Sequence, residues 1–255
     1  MAYVKVGGGF VHYKCPRPIG SAKGRVILLV HGAYDTHAVW RNVYGHFRRE
    51  HTPIAIDLPG RGASDGPAIG NAKAYAKFLD QLVRALKLKD FIFWGHSMGG
   101  SMAVDFAARR KKRVKGVIAM SSAPDWKIPK KEITQWRKDP DGAFRRNLGH
   151  LFSKKTPLGV VESYDRMLRT VPPRTCQADI ASCATFRAAP KLKRIKAPVL
   201  VVTGDEEAWI EGSHRLRDAI KGAQFALIPG AGHAVALEQP QVLCAAVEGF
   251  FARLK

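Results

Sequence analysis

The sequence predicts an α/β protein with a mostly parallel central sheet and helices on both faces of that sheet. Its short apolar runs, such as residues 26–30 and 199–202, are hydrophobic at every position. Such runs are typical of strands that are covered on both faces. Because these runs alternate with helical segments along most of the chain, the strands are expected to lie parallel.

The first half of the chain gives the elements in order. Residues 3–6 and 10–14 favour strands and are separated by three glycines, which predicts an opening hairpin. The apolar positions of residues 72–87 recur at the spacing of one helix face. The other predicted elements are strands at 25–30, 53–57, 91–94 and 114–120 and helices at 36–49 and 98–110.

The strand and helix alternation stops between residues 124 and 190 and then resumes. Helical periodicity in this segment is centred on residues 134–144, 159–169 and 176–186, which indicates an inserted helical cap. Strands at 199–203 and 224–228 and helices at 211–220 and 240–254 follow. The prediction is therefore a core formed by residues 1–123 and 191–255, with a cap at 124–190.

Length and composition restrict the class of protein. A chain of 255 residues can bury one sizeable core. No stretch approaches the roughly 20 apolar residues that cross a bilayer, and the first residues lack the apolar region of a secretory signal, so we expect a soluble, cytoplasmic protein. Its four cysteines form no C-x-x-C pair, which predicts free thiols and no metal site.

The formal charge of +21 is unusual for an enzyme. A solvated basic surface is one interpretation, and attraction of an anionic partner or substrate is the other. Because no nucleic-acid motif or interleaved aromatic residue accompanies the charge, we expect no specific nucleic-acid partner. The basic residues concentrate at 109–115, 127–138 and 191–196.

A serine stands at the turn between a predicted strand and a predicted helix. The sequence Gly95-His96-Ser97-Met98-Gly99 follows the apolar run 91–94 and precedes the helix at 98–110. In a strand–turn–helix elbow of this kind, the flanking glycines permit a tight turn that exposes the serine hydroxyl. Ser97 is therefore the candidate nucleophile.

A serine nucleophile needs a histidine base and an acid that orients the histidine. His233 lies in a glycine-rich loop directly after the last predicted strand, where parallel sheets place functional groups. Asp205, Glu206 and Glu207 follow the preceding strand, so the chain order is serine, acid, histidine. Order alone leaves open which of the three acids faces His233.

Four motifs follow predicted strands: His31-Gly32-Ala33, the D-x-P-G-x-G-x-S stretch at 57–64, G-H-S-M-G-G at 95–100 and G-A-G-H-x-x-x-x-E-x-P at 230–240. Together they resemble the α/β-hydrolase fold family over nearly the whole chain outside the cap. The family's acid lies three residues beyond a glycine, a position that Glu207 occupies here in place of aspartate. The resemblance thus favours Glu207 as the acid, with Asp205 as the rival, and implies Ala33 and Met98 as oxyanion-hole donors.

The resemblance implies a serine hydrolase that cleaves carboxylic ester or lactone bonds through an acyl-enzyme on Ser97, without metal or cofactor. A carbon–carbon bond hydrolase with the same triad and a non-catalytic ligand-binding protein remain alternatives. Epoxide hydrolases and dehalogenases are disfavoured, because they carry aspartate where this chain has serine.

Aromatic residues are the candidates for a substrate pocket. Tyr34 lies beside the predicted oxyanion loop, and Trp126 and Trp136 lie in the cap. The expected ligand is a small or medium ester, and the basic surface is compatible with an anionic one. Oligomeric state is not predicted. Further aromatic and apolar candidates in the cap are Phe144, Phe152, Tyr164 and Met167. For all of these cap residues, the two tryptophans included, simple packing is the commoner role.

Overall fold

The computed structural model of the protein describes residues 2–110 and 112–254, and its centre is an eight-stranded sheet. The strand order is β1-β2-β4-β3-β5-β6-β7-β8. Strands β1 and β2 form the predicted hairpin, β2 pairs antiparallel with β4, and all later neighbours pair parallel. The strands are β1 (Ala2–Val6), β2 (Gly9–Lys14), β3 (Val26–Val30), β4 (Thr52–Ile56), β5 (Phe91–His96), β6 (Val114–Met120), β7 (Val199–Gly204) and β8 (Gln224–Ile228).

Ten α-helices accompany the sheet in the described part of the chain. They are α1 (Arg41–Phe47), α2 (Ala72–Ala85), α3 (Met98–Arg109), α4 (Lys130–Lys138), α5 (Pro140–Leu151), α6 (Leu158–Leu168), α7 (Pro173–Cys183), α8 (Ile210–Ala219), α9 (Val235–Glu238) and α10 (Pro240–Ala252).

Each central strand supplies side chains to two hydrophobic clusters, one on each face of the sheet. Ile27 and Leu29 of β3 pack with residues of α1 and α10. Leu28 and Val30, the alternate positions, pack with residues of α2, α3 and α8. Because alternate side chains are buried on opposite faces, every position of the strand is apolar. Helices cover both faces of the sheet, which confirms the predicted α/β class.

Two helical predictions differ from the structure in detail. The stretch predicted as one helix at 36–49 begins as a 3-10 turn, His37–Trp40, before α1 starts. The periodicity at 134–144 spans two helices, α4 and α5. The chain breaks between them because Asp139 caps the next helix by accepting the Gly142 N–H at 2.8 Å, and Pro140 occupies its first turn.

Helices α4 to α7 all lie in the segment between β6 and β7, which is called the inserted segment (residues 124–190) from here on. Its buried side chains, including Trp136, Phe144 and Tyr164, belong to the same hydrophobic cluster as Ile27 and Leu29 of the sheet. The segment therefore packs on the core, and its assignment as a separate cap remains a prediction. The outer limits of the predicted core, residues 1 and 255, lie outside the described residues.

A buried ion pair joins the inserted segment to the core. Arg61, in the loop after β4, binds both carboxylate oxygens of Asp179 in α7, with 2.6 Å between Nη2 and Oδ1. Neither side chain is exposed. Asp179 also accepts the backbone N–H of Tyr34 at 2.9 Å and the Tyr75 hydroxyl at 3.3 Å. Four donors thus compensate for burial of the carboxylate.

The basic clusters remain largely at the surface, and several of their members are paired. Arg109 and Arg110 both bind Asp80, and Lys191 binds Asp105. Lys111, part of the predicted cluster at 109–115, lies outside the described residues.

The four cysteines are free thiols. No helix in the described ranges has the length and apolarity that a membrane crossing requires.

Replacing Arg61 with methionine should strongly destabilise the protein, because it leaves the Asp179 carboxylate buried without its cation. We expect the free energy of unfolding to fall by about 3–5 kcal/mol, measured by urea denaturation. The double variant Arg61→Met, Asp179→Leu should recover much of this loss, since no unpaired charge remains. Equal stabilities of the single and double variants would contradict this account of the pair.

Candidate active site

Ser97 occupies a strained elbow between β5 and α3. Its backbone has φ 53° and ψ −118°, which L-residues rarely adopt. The turn is held by the Ser97 N–H, which donates to the Met120 carbonyl at 2.8 Å. A side chain on Gly95 could not fit, because its Cβ would lie 2.0 Å from the Gly99 carbonyl oxygen. The local sequence therefore places Ser97, a residue that is 9% exposed, where strand and helix meet.

His233 and Glu207 form a buried pair at the ends of neighbouring strands. The His233 Nδ1 lies 2.8 and 3.0 Å from the two Glu207 carboxylate oxygens, and the residues are 4% and 5% exposed. Asp205 instead accepts the backbone N–H of Gly230 at 2.8 Å and is exposed. Glu206 accepts the Ser153 hydroxyl at 2.8 Å. Of the three consecutive acids, Glu207 is the one that contacts His233.

The contact between His233 and Glu207 stabilises the protonated imidazole and the ionised carboxylate. Burial by itself lowers the pKa of the His233 imidazole, but the charge of Glu207 and the hydrogen bond to it outweigh burial and raise that pKa. Burial likewise raises the pKa of the Glu207 carboxyl, but the field and hydrogen bond of His233 outweigh it and lower that pKa. Glu207 also accepts the Trp209 backbone N–H at 3.0 Å. The arrangement suits an imidazole that gains a proton during a reaction.

Ser97 and His233 line the same cavity, of about 550 Å³. No hydrogen bond joins their side chains in the described residues. Because Glu207 binds Nδ1, the nitrogen left for the serine is Nε2. In enzymes without substrate this contact is often long, and rotation of a serine hydroxyl about χ1 changes it at little cost.

The two predicted oxyanion donors lie close to Ser97 in the chain or in the cavity wall. Ala33 lines the cavity, and Met98 is the first residue of α3, where a helix leaves backbone N–H groups without intrahelical acceptors. Within the described chain neither N–H donates to a protein acceptor. The Met98 side chain itself is fully buried away from the cavity.

The inserted segment and α8 complete the cavity wall. All three predicted substrate-binding residues, Tyr34, Trp126 and Trp136, line it. Tyr164 does so as well, whereas Phe144, Phe152 and Met167 do not number among its lining residues, and Phe144 packs edge-on against Trp136 at 4.9 Å.

Sequence reasoning missed several residues of this site. Trp209, 40% exposed, places its ring edge-on against His233, with 5.1 Å between ring centroids. Asp35 and His96 also line the cavity beside Ser97. Trp209 follows the predicted acid by two positions, so a signal existed for it. Nothing in the sequence pairs Asp35 with His96.

The His233 loop is held from several directions. The backbone N–H groups of His233 and Ala234 both donate to the Leu151 carbonyl in the inserted segment, at 2.9 and 3.0 Å. Glu238 accepts the Gly232 N–H at 3.0 Å and the Ser153 N–H at 2.7 Å. The glutamate of the G-A-G-H-x-x-x-x-E-x-P motif thus joins the histidine loop to the inserted segment.

One cluster has the composition of a metal site. The ligand atoms of His12, His37 and Asp57 lie within 4.8 Å of one another. Both Asp57 oxygens already accept hydrogen bonds, however: Nδ1 of His12 at 2.8 Å, Nδ1 of His37 at 2.9 Å, and the backbone N–H groups of His37 and Ala63. Burial alone raises the pKa of this carboxyl, but the His37 bonds lower it well below its usual range. Because the Asp57 carboxylate already accepts these four hydrogen bonds, we interpret it as a structural group that holds together the segments carrying His12, His37 and Ala63.

Curated relatives match either less than half of the chain or most of it. An uncharacterised protein of Mycobacterium tuberculosis is 35% identical over 103 residues, but the match covers only 40% of this chain and 30% of the relative. The pimeloyl-[acyl-carrier protein] methyl ester esterase of Nitrosospira multiformis is 25% identical, and the alignment covers 89% of this chain and 95% of that protein.

Solved structures reproduce the architecture. The enol-lactonase from Burkholderia xenovorans LB400 superposes with a TM-score of 0.91, covers 99% of this chain and 100% of its own, and is 20% identical. Esterases are also among the similar structures. At such identities the likeness shows the fold.

The family of the chain is assigned from a sequence pattern. The pattern described as the alpha/beta hydrolase family matches residues 27–246, which include the elbow, the inserted segment and the histidine loop. Together with the topology and the structural matches, this shows that the chain belongs to the alpha/beta hydrolase family.

Proposed function

We propose that the protein is a serine hydrolase that cleaves carboxylic ester or lactone bonds of small to medium substrates. The observation that carries the proposal is the common cavity of Ser97, at a strained elbow, and His233, whose Nδ1 is held by the buried Glu207 carboxylate. The relative named as a methyl ester esterase, whose alignment covers 89% of this chain, supports ester hydrolysis.

The mechanism follows from these positions. His233 Nε2 takes the Ser97 proton as the hydroxyl oxygen attacks the acyl carbon, and Glu207 stabilises the imidazolium that forms. The negative oxygen of the tetrahedral intermediate accepts hydrogen bonds from the Ala33 and Met98 backbone N–H groups, each of which is worth roughly 3 kcal/mol in such sites. His233 then donates its proton to the leaving alkoxide. Water, activated by His233, attacks the acyl-enzyme, releases the acid and restores Ser97.

The cavity limits the substrate. About 550 Å³ accommodates a ligand of small to medium size. Tyr34, Trp126 and Trp136 form apolar wall next to the nucleophile, so we assign them to substrate binding. Lys127 and Lys131 lie at the exposed part of the wall together with Glu211, so the attraction of an anionic ester by the basic surface is tested below through its salt dependence.

Replacing Ser97 with alanine should remove nearly all hydrolysis. We expect p-nitrophenyl acetate and butyrate turnover to fall on the order of 10⁶-fold, because the nucleophile acts as a unit with its base, and the small residual rate should be the share that the oxyanion hole and substrate binding supply. A fluorophosphonate probe should label the wild type at Ser97, located by mass spectrometry, and leave the variant unlabelled. A wild type that turns over neither ester nor probe, while binding ligands, would instead be a non-catalytic member of the family.

The acid can be tested by two matched amide substitutions. Glu207→Gln should lower kcat/KM about 10³- to 10⁴-fold, because an amide neither stabilises the imidazolium nor fixes its tautomer. It should also lower the pKa of His233, followed by NMR, because the carboxylate that raises this pKa is gone. Asp205→Asn is the control, since the Asp205 side chain accepts the Gly230 N–H and does not contact His233 in the described part of the chain. The reverse pattern would make Asp205 the acid.

The basic surface gives a prediction about ionic strength. If Lys127, Lys131 and their neighbours attract the substrate, kcat/KM for an ester that carries a carboxylate should fall as salt rises from 20 mM to 500 mM. For a neutral ester of the same size, kcat/KM should stay constant. Identical salt responses for both esters would show that the charge has no role in substrate capture.

A further inference from the structure

A concentration of Lys and Arg residues at one edge of the sheet has no part in the proposed hydrolysis. Parallel strands all begin at one edge, so the segments that lead into β3 to β8 lie side by side, opposite to the Ser97 elbow. Each of these segments contains at least one Lys or Arg residue, and their acidic residues are Glu50 and Asp90. They are called the basic edge from here on and consist of residues 22–25, 48–51, 86–90, 110, 112–113, 195–198 and 220–223.

The opposite edge of the sheet, where the cavity lies, carries acidic residues instead. An aspartate follows each of the strands β3, β4, β6 and β7 within a few positions. These residues are Asp35, Asp57, Asp125 and Asp205. The length of the strands therefore separates an edge with several acids from an edge at which cations predominate.

The segments of the basic edge begin at similar levels of the sheet. Val26 pairs with Thr52, and Phe91 pairs with Val114, so the first residues of these strands are neighbours. Val117 pairs with Val199, which brings Lys196 close to the level of Val114. Six strands that lie about 4.8 Å apart give the basic edge a width of roughly 25 Å.

Neighbouring acids do not neutralise the basic edge. Glu50 and Asp90 each bind one cation, Lys23 at 3.0 Å and Lys115 at 3.3 Å. Arg110 binds Asp80. Within the described residues no ion pair is found for the exposed cations Arg48, Lys87, Lys89, Lys112, Lys196 and Lys221.

Compensation of helix ends does not account for these cations. Helices α1, α2 and α3 end at this edge, and a cation in the last turn of a helix interacts favourably with its free carbonyl groups. That effect falls off beyond the last turn. Lys89 lies four residues after α2, Lys112 lies three residues after α3, and Lys196 follows a 3-10 turn. Their charges are therefore available to an external anion.

We propose that the basic edge docks the protein reversibly on the surface of an anionic lipid bilayer, with the cavity facing the water. Clusters of roughly four to eight Lys and Arg residues are attracted to acidic lipid headgroups. The basic edge includes none of the large apolar side chains that are exposed in the described chain. The attraction is therefore electrostatic, without an apolar anchor inserted into the bilayer.

The chemistry of the basic edge disfavours a nucleic acid as the partner. Single strands bind in grooves where bases stack on aromatic side chains, and the segments of the basic edge contain no Phe, Tyr or Trp. A cavity beside Arg110 and Arg113 has a volume of about 90 Å³. Ligand pockets begin at roughly 300 Å³, so this cavity is too small to hold a nucleotide. A row of exposed cations without a groove suits a broad anionic surface.

Docking through the basic edge determines the orientation of the cavity. Strand β5 has six residues, so the Ser97 elbow lies roughly 20 Å from the basic edge. The cavity thus stays open to water when the protein is docked. One consequence, which rests on the proposed function, is that an ester dissolved in water reaches the docked enzyme.

Docking can be measured by vesicle flotation of the whole protein. At low salt the wild type should float with vesicles of phosphatidylcholine and about 30% phosphatidylglycerol, and about 500 mM salt should release it, because salt screens the attraction. Vesicles of phosphatidylcholine alone should not bind it. Equal binding to both kinds of vesicle, or no binding to the anionic ones, would overturn the proposal. Because flotation needs no substrate, a failure of ester hydrolysis would leave this result unaffected.

Two triple variants with the same change in net charge test the location. Lys89→Gln, Lys112→Gln, Lys196→Gln removes three cations of the basic edge. It should weaken partitioning onto anionic vesicles on the order of 100-fold, about fivefold for each cation. The control, with exposed lysines of the inserted segment, is Lys130→Gln, Lys138→Gln, Lys154→Gln, and should stay within about threefold of the wild type. Equal losses in the two variants, both shown to be folded by circular dichroism, would overturn the assignment to this edge.

The orientation can be tested with brominated phosphatidylglycerol, whose acyl chains quench tryptophan on contact. Trp209 is 40% exposed and lines the cavity, at the edge of the sheet opposite to the basic edge. Tryptophan emission should therefore stay unchanged when the protein binds brominated anionic vesicles. Quenching that is lost in Trp209→Phe would place the cavity against the bilayer and would overturn the proposed orientation.

Competition with duplex DNA tests the alternative partner. DNA is added to the vesicle-bound protein at low salt, with as many phosphates as the vesicles have anionic headgroups. We expect less than half of the protein to leave the vesicles. Transfer of most of the protein to the DNA would show that the basic edge prefers a nucleic acid, and would overturn the assignment to a lipid surface.

Discussion

The parallel register of the central strands is the constraint from which the site follows. Val30 pairs with Gly95, and His96 with Met120, so the loops after β3 and β5 begin at the same level of the sheet. Gly204 of β7 pairs with Ile228 of β8, which brings the Glu207 and His233 loops together in the same way. Residues far apart in the chain meet because the strands end side by side.

The inserted segment then holds in place the loops of Tyr34 and His233, which the sheet brings close together. Asp179 accepts the Tyr34 N–H beside the predicted oxyanion loop, and the Leu151 carbonyl accepts two N–H groups of the histidine loop. Tyr34 itself has φ 67°, a conformation that a non-glycine residue keeps only when its surroundings impose it. The buried Arg61–Asp179 pair is one of those surroundings. The cavity wall and the loops that carry Tyr34 and His233 are thus parts of one packed unit.

The sequence was sufficient for features with a local signature. The elbow at Ser97 could be predicted because a strand run, two glycines and a helix run are contiguous, and the sheet could be predicted because double-faced burial leaves continuous apolar runs. Chain order reduced the candidate acids to three. It could not choose among them, because the choice depends on which side chain turns inward, and Asp205 turns to Gly230 instead.

Other features have no local signature. Asp35 and His96 are 61 positions apart, and their contact exists only because β3 and β5 are neighbours. The predicted helix at 134–144 merged two helices because the apolar spacing continues across the break, although Asp139-Pro140 is a helix-start signal that periodicity does not weigh. Long-range contacts and competing local signals therefore account for the differences between the sequence predictions and the structure.

The contacts of Asp179 with the loops that carry Tyr34 and Arg61 join residues that are far apart in the sequence, which affects how the molecule folds. The Tyr34 amide and its Asp179 acceptor are 145 residues apart, and the pairing of Arg61 with Asp179 spans 118. Contacts of such long range form slowly, because the entropy of loop closure opposes them. We therefore expect the geometry of the proposed catalytic site to be assembled late, so that a refolding chain regains its helical circular dichroism before it regains its activity.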